Sequence, residues 1–330
     1  VGRGGRRWRR LETMRSSQAH IALRPNPKET PMNASRTPLF RRLVVAATVL
    51  VAAVAAQAQT KKNFQELEVE VVGTGKPVLM VPGLNSAGSV WRETCAALQP
   101  QVQCHIVQLP GFAGAKPAAV DAFLAPMRDR LLAYVDAEKL QAPVVVGHSL
   151  GGALALMMAA QQPAAVGRLV IVDSLPFIMG LRMPSATPEQ LQGMAAQMKA
   201  GVLASPKEAY EQQTRQSAQG MSKDPARVAT VIEWGLASDR ATTAAAMSEL
   251  WTADLRPLLP KVKAPTTVLG AWAAYAPMGS TEASTKAIFE QQYASLAGVQ
   301  IRMSAAGYHF LMWDDNSLVV NAVREAVASK

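Results

Sequence analysis

Residues 144–152 read VVVGHSLGG, and this stretch decides the fold. Three β-branched valines lead into the pattern Gly-x-Ser-x-Gly, and an apolar run of alanine, leucine and methionine follows over residues 153–160. This order predicts a buried strand, a sharp turn and a helix, with Ser149 at the turn. We expect a strained backbone at Ser149 and a close approach of strand and helix at Gly147 and Gly151, which have no Cβ. The Ser149 hydroxyl would then lie at the positive end of the helix dipole, which stabilises a developing oxyanion.

Strand and helix patterns alternate on both sides of this turn. Continuous apolar runs, typical of strands buried on both faces of a parallel sheet, cover residues 78–81, 104–107 and 169–172. Residues 67–71 alternate between apolar residues and glutamate, which predicts a half-exposed edge strand. Two further strand patterns follow, at residues 266–269 and 299–303. The sequence therefore predicts an α/β fold whose mostly parallel central sheet is flanked by helices.

One long stretch contains only helical patterns. Apolar residues recur at helical spacing from Pro184 to about Ala253. Residue patterns typical of helix N-termini begin at four positions in this stretch, Thr187, Ser205, Asp224 and Asp239. We interpret the stretch as an inserted helical lid, or cap, over residues 178–255, with the core of the fold over residues 62–177 and 256–330.

Positive charge is concentrated ahead of the predicted core. Residues 1–42 hold 11 of the 34 Lys and Arg residues and 2 of the 24 Asp and Glu residues, so they carry +9 of the net charge of +10. Because the rest of the chain is nearly neutral, the charge pattern argues against a nucleic-acid partner. The composition leaves the oligomeric state open.

The basic segment leads into a pattern typical of an export signal. An apolar run covers residues 43–56, and the small-x-small motif Ala56-Gln57-Ala58 follows. This arrangement predicts a signal peptide over residues 32–58, with an uncleaved membrane anchor as the alternative. Residues 1–31 are then expected to be a disordered extension, or to precede the true start of translation at Met32. We expect a periplasmic or secreted protein without stable membrane insertion after cleavage before Gln59.

Two cysteines, Cys95 and Cys104, follow the predicted signal peptide. An exported protein can oxidise such a pair to a disulfide, and two separately buried thiols are the alternative. Their spacing fits no zinc site.

Three motifs carry a resemblance to a known family. They are Gly147-His148-Ser149-Leu150-Gly151-Gly152, Val81-Pro82-Gly83-Leu84 before it, and Gly307-Tyr308-His309-Phe310 near the end of the chain. Together they resemble the α/β-hydrolase superfamily, and more closely its bacterial esterase-like serine hydrolases with a helical cap. The resemblance covers roughly residues 64–330. It implies the fold and the reaction class better than it implies a substrate.

A serine hydroxyl becomes a nucleophile when a base takes its proton, and the chain has four histidines. His20 lies in the leader, His105 lies within a predicted strand, and His148 should point away from Ser149. His309 follows the last predicted strand and comes after Ser149, as the order of serine, acid and histidine in this family requires. His309 is therefore the predicted general base and, later in the reaction, the general acid.

An oxyanion hole requires two backbone N–H groups. The family pattern implies Leu150, the residue after the nucleophile, and a residue of the loop after the strand at 78–81, for which we predict Leu84. Many relatives carry His-Gly where this chain has Pro82-Gly83, so the register of this loop is open and Asn85 is the alternative donor.

The acid of the triad has two candidates. The loop after residues 266–269 is the usual place for it in this family, but residues 270–281 contain no carboxylate. Glu282 is the first carboxylate after that loop and is expected to begin a helix. Asp173, at the end of the preceding strand, also lies between Ser149 and His309 in the chain. We predict Asp173, which could bond the imidazole Nδ1–H, with Glu282 and the absence of a functional acid as the alternatives.

These residues predict a serine hydrolase without cofactor or metal that acts through an acyl-enzyme. The apolar segments at residues 175–181 and 271–278 suggest a small or medium carboxylic ester with an apolar part as the small-molecule partner. The alternatives are a peptidase or a carbon–carbon bond hydrolase with the same triad, and a non-catalytic binding protein of the same fold.

Overall fold

The computed structural model describes residues 59–118 and 121–329. The predicted extension over residues 1–31 and the predicted signal peptide over residues 32–58 lie outside the described residues. No helix within the described ranges is both long enough and apolar enough to cross a bilayer.

An eight-stranded sheet forms the centre of the molecule, with the strand order β1-β2-β4-β3-β5-β6-β7-β8. The strands are β1 (Gln59–Phe64), β2 (Leu67–Gly73), β3 (Lys76–Val81), β4 (Val102–Gln108), β5 (Val144–His148), β6 (Arg168–Val172), β7 (Thr266–Gly270) and β8 (Gln300–Met303). β1 pairs with β2, and β2 with β4, in antiparallel fashion, and all other pairs are parallel. The predicted mostly parallel α/β sheet is thus confirmed.

Ten α-helices accompany the sheet within the described ranges. They are α1 (Arg92–Leu98), α2 (Leu124–Ala137), α3 (Leu150–Gln161), α4 (Pro188–Ala204), α5 (Lys207–Ala218), α6 (Pro225–Ala237), α7 (Arg240–Thr252), α8 (Glu282–Gln292), α9 (Leu311–Asp314) and α10 (Asn316–Ala328). Short 3-10 turns cover Gly88–Trp91, Pro163–Ala165, Met179–Leu181, Arg256–Lys261 and Ala273–Met278.

The prediction of an edge strand at residues 67–71 was wrong in one respect. β2 does have one buried and one more exposed face, as its alternation predicts, but β1 lies outside it and forms the edge of the sheet. β1 reads QTKKNF, in which only Phe64 is apolar. This strand forms through its backbone ladder to β2, so its own residues show no alternating pattern.

Both faces of the sheet are covered, which explains the continuous apolar runs of the central strands. Leu79 and Val81 of β3 pack in a core with α2 and α3. Val78 and Met80, the alternate residues of the same strand, pack in a second core with α1 and α10. A strand buried on both sides needs apolar residues at every position, because its side chains point alternately to the two faces.

The two cysteines form a disulfide that ties α1 to β4. Their sulfur atoms are bonded and their Cα atoms lie 6.2 Å apart. The sequence left this pairing open. Cys95 of α1 and Cys104 of β4 both lie in the second core, on the face of the sheet that α1 and α10 cover.

The inserted segment between β6 and β7 contains the four helices α4 to α7. Thr187 caps α4 in a capping box, and the side chains of Asp224 and Asp239 cap α6 and α7, as their sequences predict. A helix does begin after Ser205, but the expected cap was wrong: Ser205 is the C-cap residue of α4, and Pro206 is the N-cap residue of α5, without a side-chain hydrogen bond.

Candidate active site

The turn between β5 and α3 has the strained geometry expected of a nucleophile elbow. Ser149 has φ 51° and ψ −116°, a conformation that costs a non-glycine residue about 1–3 kcal/mol. Its backbone is held on both sides, since Ser149 N–H donates to the carbonyl of Val172 at 3.0 Å and its own carbonyl accepts from Gly152 N–H at 2.9 Å. A Cβ at Gly147 would lie 2.2 Å from the carbonyl oxygen of Gly151, so strand and helix can approach this closely only with glycine at position 147.

The structure brings His309 and Asp173 together, although 136 residues separate them in the chain. His309 Nδ1 lies 2.6 Å from Asp173 Oδ2. The side chains are 25% and 12% exposed, so solvent screens this contact only in part. A carboxylate that accepts the Nδ1–H of a histidine leaves a lone pair on Nε2, the nitrogen that a general base uses.

Asp173 is positioned by the backbone at the carboxyl ends of β6 and β7. It has a positive φ of 45°, and its N–H donates to the carbonyl of Leu269 at 2.7 Å. Its second carboxylate oxygen, Oδ1, accepts from the N–H of Ala271 at 2.9 Å. Glu282, the alternative acid, begins α8 and is exposed to solvent. Of the two candidates, the structure places Asp173 against His309.

The predicted oxyanion donors lie on segments that pack against each other. Leu150 is the first residue of α3, and a Cβ at Gly151 would lie 2.3 Å from the carbonyl oxygen of Val81, the last residue of β3. The loop that continues from Val81 to Leu84 therefore crosses the N-terminus of α3. Within the described ranges, neither the Leu150 N–H nor the Leu84 N–H donates a hydrogen bond to the protein. Asn85, the alternative donor, has φ 56°, and its side-chain oxygen accepts from Thr243 Oγ1 at 2.7 Å.

The other histidines occupy different surroundings. His105 lies in the interior on β4, where Nδ1 is 2.8 Å from the hydroxyl of Tyr134 and Nε2 is 3.1 Å from Oε1 of Gln103. Burial lowers the pKa of His105 from 6.5 to about 4, so it is a neutral structural residue. His20 lies outside the described residues. His148 is the last residue of β5, and its ring packs against that of His309.

The inserted helices contact the loops at the carboxyl ends of the strands. Thr243 of α7 bonds Asn85 after β3, and the N–H of Asp239 donates to the carbonyl of Gly111 after β4 at 2.7 Å. The carbonyl of Met221, between α5 and α6, accepts from the N–H of Phe310 after β8 at 3.0 Å. Ligands of open α/β sheets bind at this edge, so the inserted helices adjoin the region where a substrate is expected.

Asp314 connects the inserted segment to the His309 loop and was not predicted. Its Oδ1 accepts from the hydroxyl of Ser222 at 2.7 Å, and its Oδ2 accepts from the N–H groups of Lys223 and Tyr308 at 3.1 and 3.0 Å. No local pattern could reveal this role, because Asp314 meets Ser222 only after the insertion has folded back over the sheet.

In residues 59–118 and 121–329, no group of three or more His, Cys, Asp or Glu side chains is arranged to hold a metal ion.

Comparison with known proteins identifies the same fold. The model of the alpha/beta hydrolase family matches residues 78–323. Among solved structures, a hydrolase from Pseudomonas aeruginosa superposes with a TM-score of 0.66 at 16% identity, covering 83% of this chain and 100% of that one. The enol-lactonase from Burkholderia xenovorans superposes with a TM-score of 0.65 at 16% identity, covering 82% and 100%.

Two curated relatives carry the same name, pimeloyl-[acyl-carrier protein] methyl ester esterase. The one from Vibrio campbellii is 36% identical over 105 residues, which are 32% of this chain and 39% of that protein. The one from Aeromonas hydrophila is 30% identical over 136 residues, which are 41% of this chain and 52% of that protein. The match thus spans between about two fifths and half of the length of these relatives.

Proposed function

Because the chain belongs to the alpha/beta hydrolase family, we propose that it is a serine hydrolase that cleaves a small or medium carboxylic ester through an acyl-enzyme. The observation that carries this proposal is the 2.6 Å contact between His309 and Asp173. The ring of His309 lies 4.5 Å from that of His148, the residue that precedes the strained Ser149. The esterase names of the Vibrio and Aeromonas relatives support an ester substrate.

In the proposed reaction, the Ser149 hydroxyl attacks the ester carbonyl while His309 Nε2 takes its proton. Asp173 stabilises the imidazolium that forms, and the N–H groups of Leu84 and Leu150 bind the oxyanion of the tetrahedral intermediate. His309 then gives the proton to the departing alkoxide, which leaves Ser149 acylated. A water molecule, deprotonated by His309, hydrolyses the acyl-enzyme and restores the free serine.

The strained backbone of Ser149 would orient its hydroxyl for the reaction. Directly after β5, the positive φ turns the Ser149 side chain out of the strand, and α3 begins at the next residue. The unpaired N–H of Leu150 and the positive end of the α3 dipole then lie beside the reacting carbon. A relaxed turn would not place the half-buried Ser149 side chain beside the free N–H of the next peptide.

Two measurements test the proposal. A fluorophosphonate probe should label the wild-type protein at Ser149 and should not label Ser149→Ala, while Ser217→Ala, a change on the exposed side of α5, should leave labelling unchanged. An unlabelled wild-type protein would refute a serine mechanism and favour a binding protein of the same fold. A panel of p-nitrophenyl esters, peptides and β-diketones, assayed with the same preparations, distinguishes an esterase from a peptidase or a carbon–carbon bond hydrolase.

We also propose that the protein works in an oxidising compartment, as a periplasmic or secreted enzyme. The disulfide between Cys95 and Cys104 supports this, because reducing compartments keep cysteine pairs in the thiol form. Cell fractionation followed by mass spectrometry tests the proposal: a protein recovered from the cytoplasm with residues 43–58 intact would contradict it.

A further inference from the structure

His148 is a buried imidazole that the proposed reaction does not use. It is 1% exposed, and it directly precedes Ser149 in the chain. Its ring centroid lies 4.5 Å from that of His309 and 4.8 Å from that of Phe310. The side chain is thus packed against the histidine and against the residue that follows it.

The hydrogen bond of His148 defines its tautomer. His148 Nε2 lies 3.0 Å from the carbonyl oxygen of His309. Since a carbonyl oxygen only accepts, the proton must be on Nε2, and Nδ1 carries a lone pair. Within the described ranges, the carbonyl of His309 accepts from no other group. The main chain at His309 is therefore held by a side chain of the nucleophile elbow.

The other side of the ring meets the loop that carries Leu84. A Cβ at Gly83 would lie 2.9 Å from His148 Nδ1, and that nitrogen is buried without a hydrogen-bond partner. A buried acceptor without a hydrogen bond lowers the stability of the folded protein, so the imidazole at position 148 is not explained by stability alone. Gly83 provides the space for it. One ring therefore contacts the elbow, the His309 loop and the loop after β3.

The surroundings keep His148 uncharged. Burial and the nearby positive charge of a protonated His309 lower the pKa of His148 well below its ordinary value of 6.5, although its bond to the His309 carbonyl acts in the opposite direction. When His309 takes the proton of Ser149, His148 therefore stays a neutral donor and does not compete for that proton.

We propose that His148 is a positioning residue for His309, an inference that rests on the proposed function. Asp173 holds His309 through the ring nitrogen Nδ1, whereas His148 bonds its main chain and packs against its ring. Together they define both the position and the rotation of the imidazole. A base displaced by about 1 Å loses on the order of 100-fold in rate, so this support is required for proton transfer.

The test distinguishes the contribution of the Nε2–H hydrogen-bond donor of His148 from that of its aromatic ring. His148→Phe keeps an aromatic ring and removes the N–H, whereas His148→Gln keeps an N–H donor near the position of Nε2. His105→Phe is the matched control, because it removes another buried imidazole from the neighbouring region of the sheet. The substrate is a p-nitrophenyl ester that the wild-type protein hydrolyses, and the labelling rate with a fluorophosphonate probe is measured on the same samples.

We expect His148→Phe to lower kcat and the labelling rate about 10- to 100-fold with KM changed less than about twofold. His148→Gln should retain at least about a third of kcat, and His105→Phe should stay within about twofold of wild type. Proton NMR supplies the second readout. The downfield resonance of the proton between His309 and Asp173 should be present in the wild type and in His148→Gln, and should be lost in His148→Phe.

Two outcomes would overturn the positioning role. One is a folded His148→Phe variant with unchanged kcat and an unchanged downfield resonance. If that variant does not fold, His148→Gln decides, since a loss of 100-fold in a folded protein that retains the donor contradicts the proposal. Failure of the proposed function is distinguishable, because the wild-type protein would then show neither labelling at Ser149 nor ester hydrolysis.

Discussion

The substitution Asp173→Asn tests the proposed triad most directly. The carboxylate of Asp173 has two partners, the N–H of Ala271 at 2.9 Å on Oδ1 and Nδ1 of His309 at 2.6 Å on Oδ2. Because the N–H of Ala271 needs an acceptor, the new amide should turn its oxygen to Ala271 and its NH2 group to His309. Nδ1 of His309 must then accept, and the ring proton moves to Nε2. The base that should take the proton of Ser149 is thereby lost.

The expected magnitude follows from that tautomer. In a serine protease triad the same exchange lowers kcat by about four powers of ten, which is on the order of 5 kcal/mol in the barrier. We expect a loss of about 10³- to 10⁴-fold in ester turnover and in the rate of fluorophosphonate labelling. Stability should change little, because Asn is nearly isosteric and keeps the bond to Ala271.

The assay compares kcat/KM and thermal unfolding of the wild type, Asp173→Asn and Glu282→Gln. The glutamate variant is the matched control, because Glu282 was the other candidate and lies exposed at the start of α8. Turnover within about tenfold of wild type in a folded Asp173→Asn variant would refute the tautomer argument. Loss of activity in Glu282→Gln instead would assign the acid to that residue.

Three further predictions concern stability and the connection between the insertion and the His309 loop. The unfolded chain binds a proton at His105 below about pH 6.5, and the folded chain does so only below about pH 4. The free energy of unfolding should therefore fall by on the order of 2–3 kcal/mol as the pH drops through that window. Urea titrations should show a weaker dependence of the free energy of unfolding on pH in His105→Phe than in the wild type. Replacing both Cys95 and Cys104 by serine opens a loop with a sequence separation of 9. Chemical denaturation should then show a loss of about 2–3 kcal/mol in the free energy of unfolding, and an unchanged midpoint would contradict this. Asp314→Ala removes the side chain that accepts from both Ser222 and Tyr308. We therefore expect faster proteolysis near residue 222 and about tenfold lower kcat/KM. Asp136→Ala, an exposed change at the end of α2, is the control, and equal cleavage rates in the two variants would contradict a link between the inserted segment and the His309 loop through Asp314.

Local features were predictable from consecutive residues. The strand, the strained Ser149 and the close approach at Gly147 depend on about ten neighbouring residues, and the structure has all three. The caps at Thr187, Asp224 and Asp239 are equally local, since each depends on a side chain reaching a backbone N–H two or three residues ahead.

Features that depend on a partner strand or helix were predicted less well. β1 has almost no apolar residues, so its strand conformation comes from the ladder that β2 supplies. At Ser205, two helices follow each other so closely that the residue expected to begin α5 ends α4. In both places the neighbouring element, and not the local pattern, determines the outcome.

By itself, the sequence determined the fold class, the strained turn at Ser149 and the family, because these depend on local patterns and on the order of motifs along the chain. Only the tertiary structure decided which carboxylate lies against His309, that Cys95 meets Cys104, and that His148 bonds the main chain of His309. The physical reason is that parallel strands bring their carboxyl ends to one edge of the sheet. Which loop residues touch there depends on strand order and crossing helices. Position along the chain could therefore narrow the acid to Asp173 or Glu282 but could not decide between them.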